Sequence, residues 1–293
     1  MITISNCQIC NNKVFIPLFS TKDHFFTGET FSVSQCGECG FVFTNPVPDK
    51  EKISEYYRTD KYLSHDTSGN GLMGNIYKII RGLNLKNKSR LISKYKAKGR
   101  LLDIGSGTGE FLNYMKNKQF EAVGVEPEQK ARDFAINNYG LDIRDESFFN
   151  KLPDKKFDLI SMWHVLEHVY DINTRLQQIH ELLYEDGYFI NALPMIDSPD
   201  SKKFGKYWAG LDLPRHLHHF SSITFSLLAK NNGFYIIDKY PMKFDAYFLS
   251  LLSHQAKKNI LAPIRGFLDG FISNSVAFKN KNYSSMIFVL KKV

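Results

Sequence analysis

The segment LLDIGSGTGEF at Leu101–Phe111 places the tightest constraint on the fold of this 293-residue chain. Leu101, Leu102 and Ile104 form a short apolar run, and Gly105, Gly107 and Gly109 follow at every second position. Glycine permits a sharp backbone turn and lets a ligand approach where a Cβ would stand in the way. A helix opening at Glu110 then turns its free N–H groups toward whatever lies over the turn. Strand, glycine turn and helix in that order predict the first unit of an α/β fold.

The alternation continues downstream. Apolar runs predict strands at Arg100–Ile104, Ala122–Val125, Leu141–Arg144, Phe157–Met162, Tyr188–Leu193, Phe234–Tyr240 and Ser284–Lys291. Between them lie predicted helices at Glu110–Gln119, from Pro127, at Asn173–Tyr184 with Gly187 beyond it, and at Ser221–Asn231 with a serine cap and a glycine stop at Gly233. This pattern implies seven strands in a largely parallel sheet, covered by helices on both faces. Residues 1–45 form a cysteine-bearing unit, 46–98 a helical linker or lid broken by SHDTSGNG at Ser64–Gly71, and 99–293 the main domain.

A glycine turn followed by an acid after the second strand, here Glu126, also occurs in dinucleotide-binding folds. The spacing differs from GxGxxG, and Asp103 at the strand end would repel a pyrophosphate. Asp103-Ile-Gly-Ser-Gly-Thr-Gly109 resembles the cofactor motif of class I S-adenosylmethionine-dependent methyltransferases, and the resemblance extends from about Leu101 to Tyr240. It implies a Rossmann-like seven-stranded methyltransferase sheet. It implies that Asp103, Gly105, Ser106, Gly107 and Gly109 hold the methionine part of the cofactor. It further implies that Glu126 accepts hydrogen bonds from the ribose hydroxyls, and that Asp145 or Glu146 lies near the adenine.

His164-Val-Leu-Glu167-His168 follows the fourth main strand. It fits the H-x-x-E-H pattern of inverted zinc peptidases, in which two histidines four apart on a helix chelate zinc. The further carboxylate ligand that a peptidase needs is not identified. The methyltransferase resemblance instead puts Trp163 and His164 at the methyl-transfer site, with Glu167 and His168 starting a helix that supports it. Pro214-Arg-His-Leu-His-His-Phe220 is a second histidine-rich segment, after the fifth main strand. Histidine titrates near neutral pH and serves as a general base. Alignment of the acceptor and removal of its proton are the enzyme's main tasks in methyl transfer. His216 and His219 are the leading pair for that role, with His164, and Arg215 is a candidate for an anionic group such as a phosphate.

Cys7-x-x-Cys10 and Cys36-x-x-Cys39 are the chain's four cysteines. In a reducing compartment such pairs point to a metal rather than to disulfides, and four thiolates make a closed, structural tetrahedral zinc site. Iron in a rubredoxin-like site fits the same spacing. The run CGECGFVFTNPVPD resembles the zinc-binding N-terminal region of methyltransferases from sugar-modification pathways. Some of those enzymes carry a further C-terminal domain that this sequence lacks.

The net charge of +8 is spread out, with its densest stretch between Lys78 and Arg100. Phe244–Ser275 reads as two amphipathic helices, for which packing or a subunit contact is the first reading and an apolar acceptor or a membrane surface the second. The N-terminus lacks the pattern of a secretory signal, so a cytoplasmic location is expected. The favoured function is methyl transfer to a small molecule, a sugar or glycan precursor such as a nucleotide-linked sugar. The alternatives are an RNA methyltransferase, whose Pro-Pro-Tyr motif is absent, and a non-enzymatic zinc-ribbon module on a methyltransferase fold.

Overall fold

The computed structural model describes residues 1–57, 72–152 and 156–293, with 72–81 described by backbone alone. The expected loop at Ser64–Gly71 lies outside the described residues. Three short strands come first: β1 (Phe15–Lys22), β2 (Thr30–Cys36) and β3 (Val42–Thr44). Helix α1 (Leu72–Tyr95) leads into β4 (Gly99–Ile104), α2 (Glu110–Lys116), β5 (Phe120–Val125), α3 (Gln129–Tyr139) and β6 (Asp142–Arg144). Then follow β7 (Phe157–Trp163), α4 (Ile172–Leu182), β8 (Leu183–Pro194), α5 (Pro199–Phe204) and β9 (His218–His219). The chain continues with α6 (Ser222–Asn231), β10 (Phe234–Pro241), α7 (Lys243–Ala256), α8 (Ala262–Asn280) and β11 (Ser285–Lys292).

The seven expected strands make one sheet in the order β10-β11-β8-β7-β4-β5-β6. β4 to β8 run parallel, while β11 lies antiparallel to both β8 and β10. Leu101, Leu102 and Ile104 of β4 and Leu159, Ile160 and Met162 of β7 are all buried, since helices cover both faces. The helices begin where the sequence supplies caps. Asp171 accepts from the Thr174 N–H at 3.0 Å ahead of α4, and Ser221 and Thr224 form a reciprocal capping box ahead of α6. α4 turns Ile172, Leu176, Ile179 and Leu182 into the core, at the spacing of one helical face. The order of strands reverses between β4 and β7, and that crevice at the strands' C-terminal ends is where open α/β sheets bind ligands.

The cysteine-bearing unit is not closed on itself. Its antiparallel sheet runs β1-β2-β3-β9, so its last strand comes from the histidine-rich segment, pairing Val42 with His219 and Phe43 with His218. Cys7, Ile9, Cys36, Phe41 and Phe43 belong to the same buried cluster as Leu166, Phe220 and Phe225 of the main domain.

Arg215 fixes this junction. It is fully buried and uses all five of its N–H groups. Nη1 and Nη2 donate to the Asp23 carboxylate at 3.2 and 3.1 Å, Nε and Nη2 to that of Asp212 at 3.0 and 2.6 Å, and Nη1 also to the Tyr56 carbonyl at 3.2 Å. No donor remains for a ligand phosphate, so the expectation that Arg215 binds an anionic group is corrected: its anions are Asp23 and Asp212. Burial pushes its pKa down, but the two carboxylates outweigh that and hold it above the ordinary value. Arg215→Met should lower unfolding free energy in urea by about 3–5 kcal/mol, because it strands buried carboxylates without their cation; a loss below about 1 kcal/mol, the scale of an exposed ion pair, would contradict this account.

Candidate active site

The glycine turn occupies the crevice beside β4. The N–H groups of Gly105 and Ser106 donate to the Val125 carbonyl at 2.7 and 3.1 Å, which ties the turn to the end of β5. Gly109 has a φ of 78°, and a Cβ there would meet Ala135 and Leu141 at 2.7 Å, so only glycine fits. Gly107 is different. Its φ is 53°, and a Cβ would meet nothing within 4 Å among the described residues. The turn is therefore packed on its inner side and open on its outer side.

Two acids flank that opening. Asp103 is buried at the end of β4 and accepts from the Ser161 hydroxyl at 2.6 Å. Burial pushes its carboxyl up to about 7, against the opposing pull of Ser161 and Lys88. Glu126 receives the Gly107 N–H at 2.8 Å on one oxygen and the Glu128 N–H at 3.0 Å on the other. Burial raises its pKa, and these N–H groups partly offset the rise. The Ser106 hydroxyl is buried with no hydrogen-bond partner among the described residues. Asp145 caps the short turn Glu146–Asn150, and Glu146 pairs with Arg175 at 2.7 Å. Both acids do follow the third strand of the main sheet, but Glu146 has a protein partner.

Trp163 ends β7, with Phe111 edge-on at 5.5 Å and the Lys88 ammonium 4.4 Å from its ring centroid. Lys88 reaches the crevice from α1. Burial lowers its pKa, and Asp103 and Asp245 oppose that. In the sequence it was one lysine among many in a basic stretch, and its position facing Asp103 depends on how α1 crosses the sheet.

His164 follows with a φ of 58°, a left-handed conformation uncommon outside glycine. Its ring lies between two carboxylates, with Nδ1 3.4 Å from Glu167 and Nε2 3.2 Å from Asp245 of α7. Burial alone would lower its pKa; the contacts with Asp245 and Glu167 outweigh burial and hold it up at about 9. Asp245 lies 81 residues from His164 and carries no motif, so only the packing of α7 reveals it.

Leu166–His168 is a single 3-10 turn and not the α-helix expected there. His164 and His168 therefore do not share a helical face as the peptidase pattern requires. Glu167 is fully buried, and an oxygen of it and one nitrogen each of His168 and His216 lie within 4.8 Å of one another. His168 Nδ1 donates to the Arg215 carbonyl at 2.9 Å, and His216 Nδ1 to that of Gly210 at 2.9 Å. Burial pushes His168 down to about 4, so it stays neutral, while Glu167 is raised by burial but held below its ordinary value by His164 and the other nearby imidazoles together.

The structure separates the expected pair His216 and His219. His216 joins the cluster around Glu167. His219 is buried in β9 and donates Nε2–H to the Thr44 hydroxyl at 3.2 Å, while its neighbour His218 donates to the Val169 carbonyl at 2.9 Å. Burial holds both well below the ordinary histidine value. Strand pairing has enclosed the two rings.

In the N-terminal unit the four thiols converge, with Sγ–Sγ distances of 3.5 Å for Cys7–Cys39 and Cys10–Cys36. All four sulfurs lie within 4.8 Å of one another.

Comparison with known proteins bears on this arrangement. The profile of a family described as a methyltransferase domain matches residues 77–239, more than half of the chain. An uncharacterised methyltransferase of Staphylococcus carnosus (strain TM300) is 28% identical over 109 residues, which cover 36% of this chain and 53% of that protein. Another, of Alkaliphilus oremlandii (strain OhILAs), is 26% identical over 111 residues, 37% of this chain and 51% of that protein. The matched stretch thus spans about half the length of these curated relatives. Among solved structures, the 1,6-didemethyltoxoflavin-N1-methyltransferase of Burkholderia thailandensis, with bound 1,6-didemethyltoxoflavin and S-adenosylhomocysteine, superposes with a TM-score of 0.52 at 14% identity, covering 94% of this chain and 99% of that one. Mitomycin 7-O-methyltransferase gives 0.51 at 14% identity, covering 82% and 60%. These structures share the fold. The sheet order, the glycine turn with its two acids and the family profile agree, and the chain belongs to the methyltransferase-domain family.

Proposed function

We propose that this chain is an S-adenosylmethionine-dependent methyltransferase acting on a small molecule, with a sugar or glycan precursor as the favoured acceptor. One observation carries the reading: a glycine turn packed on its inner side and open at Gly107, set between the acids Asp103 and Glu126. The donor set fits the cofactor. Asp103, Gly105, Ser106, Gly107 and Gly109 would hold its methionine part, where the acid offsets positive charge and the Ser106 hydroxyl, without a partner among the described residues, supplies a polar contact. Glu126 would take the ribose, and the turn after β6 with Asp145 and Glu146 would border the adenine. Bound there, S-adenosylmethionine supplies an electrophilic methyl group on a sulfonium.

The chain's own residues prepare the acceptor. Trp163 and Phe111 form an apolar wall at the rim. His164 is the histidine best placed to take a proton, since it follows Trp163 directly and its side chain remains about one-third exposed (33%). Asp245 and Glu167 orient its ring and stabilise its protonated form. His216 and Glu167 support it from behind, and His219 holds the N-terminal sheet to the rim. The resemblance to sugar-pathway methyltransferases and the four converging thiols support the sugar acceptor. The thiols also suit a structural zinc: a tetrahedron with Zn–S bonds of about 2.3 Å has sulfurs about 3.8 Å apart, close to the spacing seen.

Three measurements test this. Calorimetry should show S-adenosylhomocysteine binding to the wild type and none to Gly107→Arg, whose side chain would enter the opening; a wild type that does not bind removes the proposal. Metal analysis should find about one zinc per chain, lost in Cys36→Ser and retained in His164→Ala, while retention in Cys36→Ser would rule out the four-thiolate site. NMR titration of the His164 ring should give a pKa near 9, and Asp245→Asn should lower it by about one pH unit or more by removing a negative charge. A protonated base is inactive, so turnover should rise with pH up to that value, and the rise should move to lower pH in Asp245→Asn. An unshifted titration would separate Asp245 from the site.

A further inference from the structure

The hairpin of α7 and α8 is built inside out for a protein surrounded by water. The inner face of α8 carries Gly266, Gly270, Ser273 and Ala277, all buried. A Cβ at Gly266 would lie 2.6 Å from the Cα of Leu251, and one at Gly270 the same distance from that of Tyr247, so the two helices meet backbone to backbone. Small residues at this spacing are how helices pack where no hydrophobic core drives them together. The large apolar side chains point outward instead. Ile264, Phe267, Phe271, Ile272 and Phe278 of α8 and Phe248 of α7 are all exposed, Phe267 at 63% and Phe278 at 66%. On α8 they recur at helical spacing and form a continuous stripe, far beyond the scattered apolar residues found on ordinary surfaces.

The charges around the stripe have one sign. Lys257, Lys258, Arg265, Lys279 and Lys281 are exposed on the hairpin and its turns. Its two acids face inward: Asp245 contacts His164 at 3.2 Å, and Asp269 pairs with Lys203 at 2.6 Å and His254 at 2.9 Å. We propose that the α7–α8 hairpin docks this protein onto an anionic lipid bilayer, its apolar stripe entering the headgroup boundary and its lysines and Arg265 meeting lipid phosphates. A second copy is a poorer occupant, since it would bring two cationic rims together. No helix among the described residues is long and apolar enough to cross a membrane, so the hairpin lies in the interface plane. Because Asp245 of α7 touches His164, docking places the rim of the site at the headgroup layer. On the functional reading above, this favours an acceptor carried on a lipid.

The test is co-sedimentation of the full chain with vesicles of phosphatidylcholine mixed with phosphatidylglycerol, and with vesicles of phosphatidylcholine alone. Light scattering runs in parallel. The wild type should partition onto the mixed vesicles, bind phosphatidylcholine alone far less, and release as salt is raised. Phe267→Ser with Phe271→Ser should weaken partitioning by about tenfold or more, with an unchanged thermal melt as the control for folding. Lys257→Glu with Lys258→Glu should abolish the preference for the anionic lipid. Binding to neither vesicle overturns the proposal, as does an unaffected Phe267/Phe271 variant. A stable dimer in solution that this variant converts to monomer also overturns it, by making the stripe a subunit interface. Vesicle binding does not depend on the cofactor, so a chain that docks without binding S-adenosylhomocysteine would refute the functional reading and leave this one standing.

Discussion

The geometry of the site depends on one buried cation. Arg215 is enclosed with no water-exposed surface, and its five donors are met by the Asp23 and Asp212 carboxylates and the Tyr56 carbonyl. A guanidinium placed this way tolerates little movement, because every displacement unpairs a charge in a medium that solvates it poorly. Three separate stretches of chain are thereby held at fixed distances: the end of the first hairpin, the turn before α1 and the segment after β8. The Arg215 carbonyl also receives the His168 ring, and the Leu217 N–H donates to the Glu167 carbonyl at 2.8 Å. The two histidine-rich segments are therefore one structural unit.

The electrostatics of the site follow from that unit. Glu167 is an acid taken fully out of water and surrounded by three imidazoles. His168 remains neutral and acts as a spacer, its ring edge-on to that of His216 at 4.6 Å between centroids. The positive charge that Glu167 requires settles on His164, the ring that also has Asp245. At the end of β4, Asp103 has Lys88 as a nearby cation, which also faces Asp245. The crevice thus carries two proton-binding groups, His164 and Asp103, which suits a reaction that brings in a cationic cofactor and removes a proton from the acceptor.

The centre of the main sheet was readable because β4, β7 and the second half of β8 are buried on both faces. Leu101–Ile104 and Phe157–Met162 are near-continuous apolar runs, and the structure moves their ends by no more than about a residue or two, the ordinary scatter of strand and helix boundaries. The cofactor turn was readable because three glycines leave few alternatives. What escaped the sequence depends on contacts between distant residues. β9 has two residues and no pattern of its own; it becomes a strand because β3 has an open edge. The same pairing shows why a histidine-rich segment that looked like an open catalytic loop is largely enclosed. Lys88 and Asp245 carry no local signal, and each gains its role from a helix crossing the crevice. Arg215 looked like a ligand-binding arginine because its partner Asp23 lies 192 residues away.

The pairing of β3 with β9 also orders events during synthesis. All four cysteines lie within the first 39 residues, so their thiols can gather early. The sheet they support remains open at its edge until His218–His219 emerges, by which time five strands of the main sheet have already been made. Closing a contact over so long a stretch of chain is among the slow steps of folding. The N-terminal unit is thus translated before the main sheet and completed after most of it, and the metal its thiols suit would hold its shape through that interval.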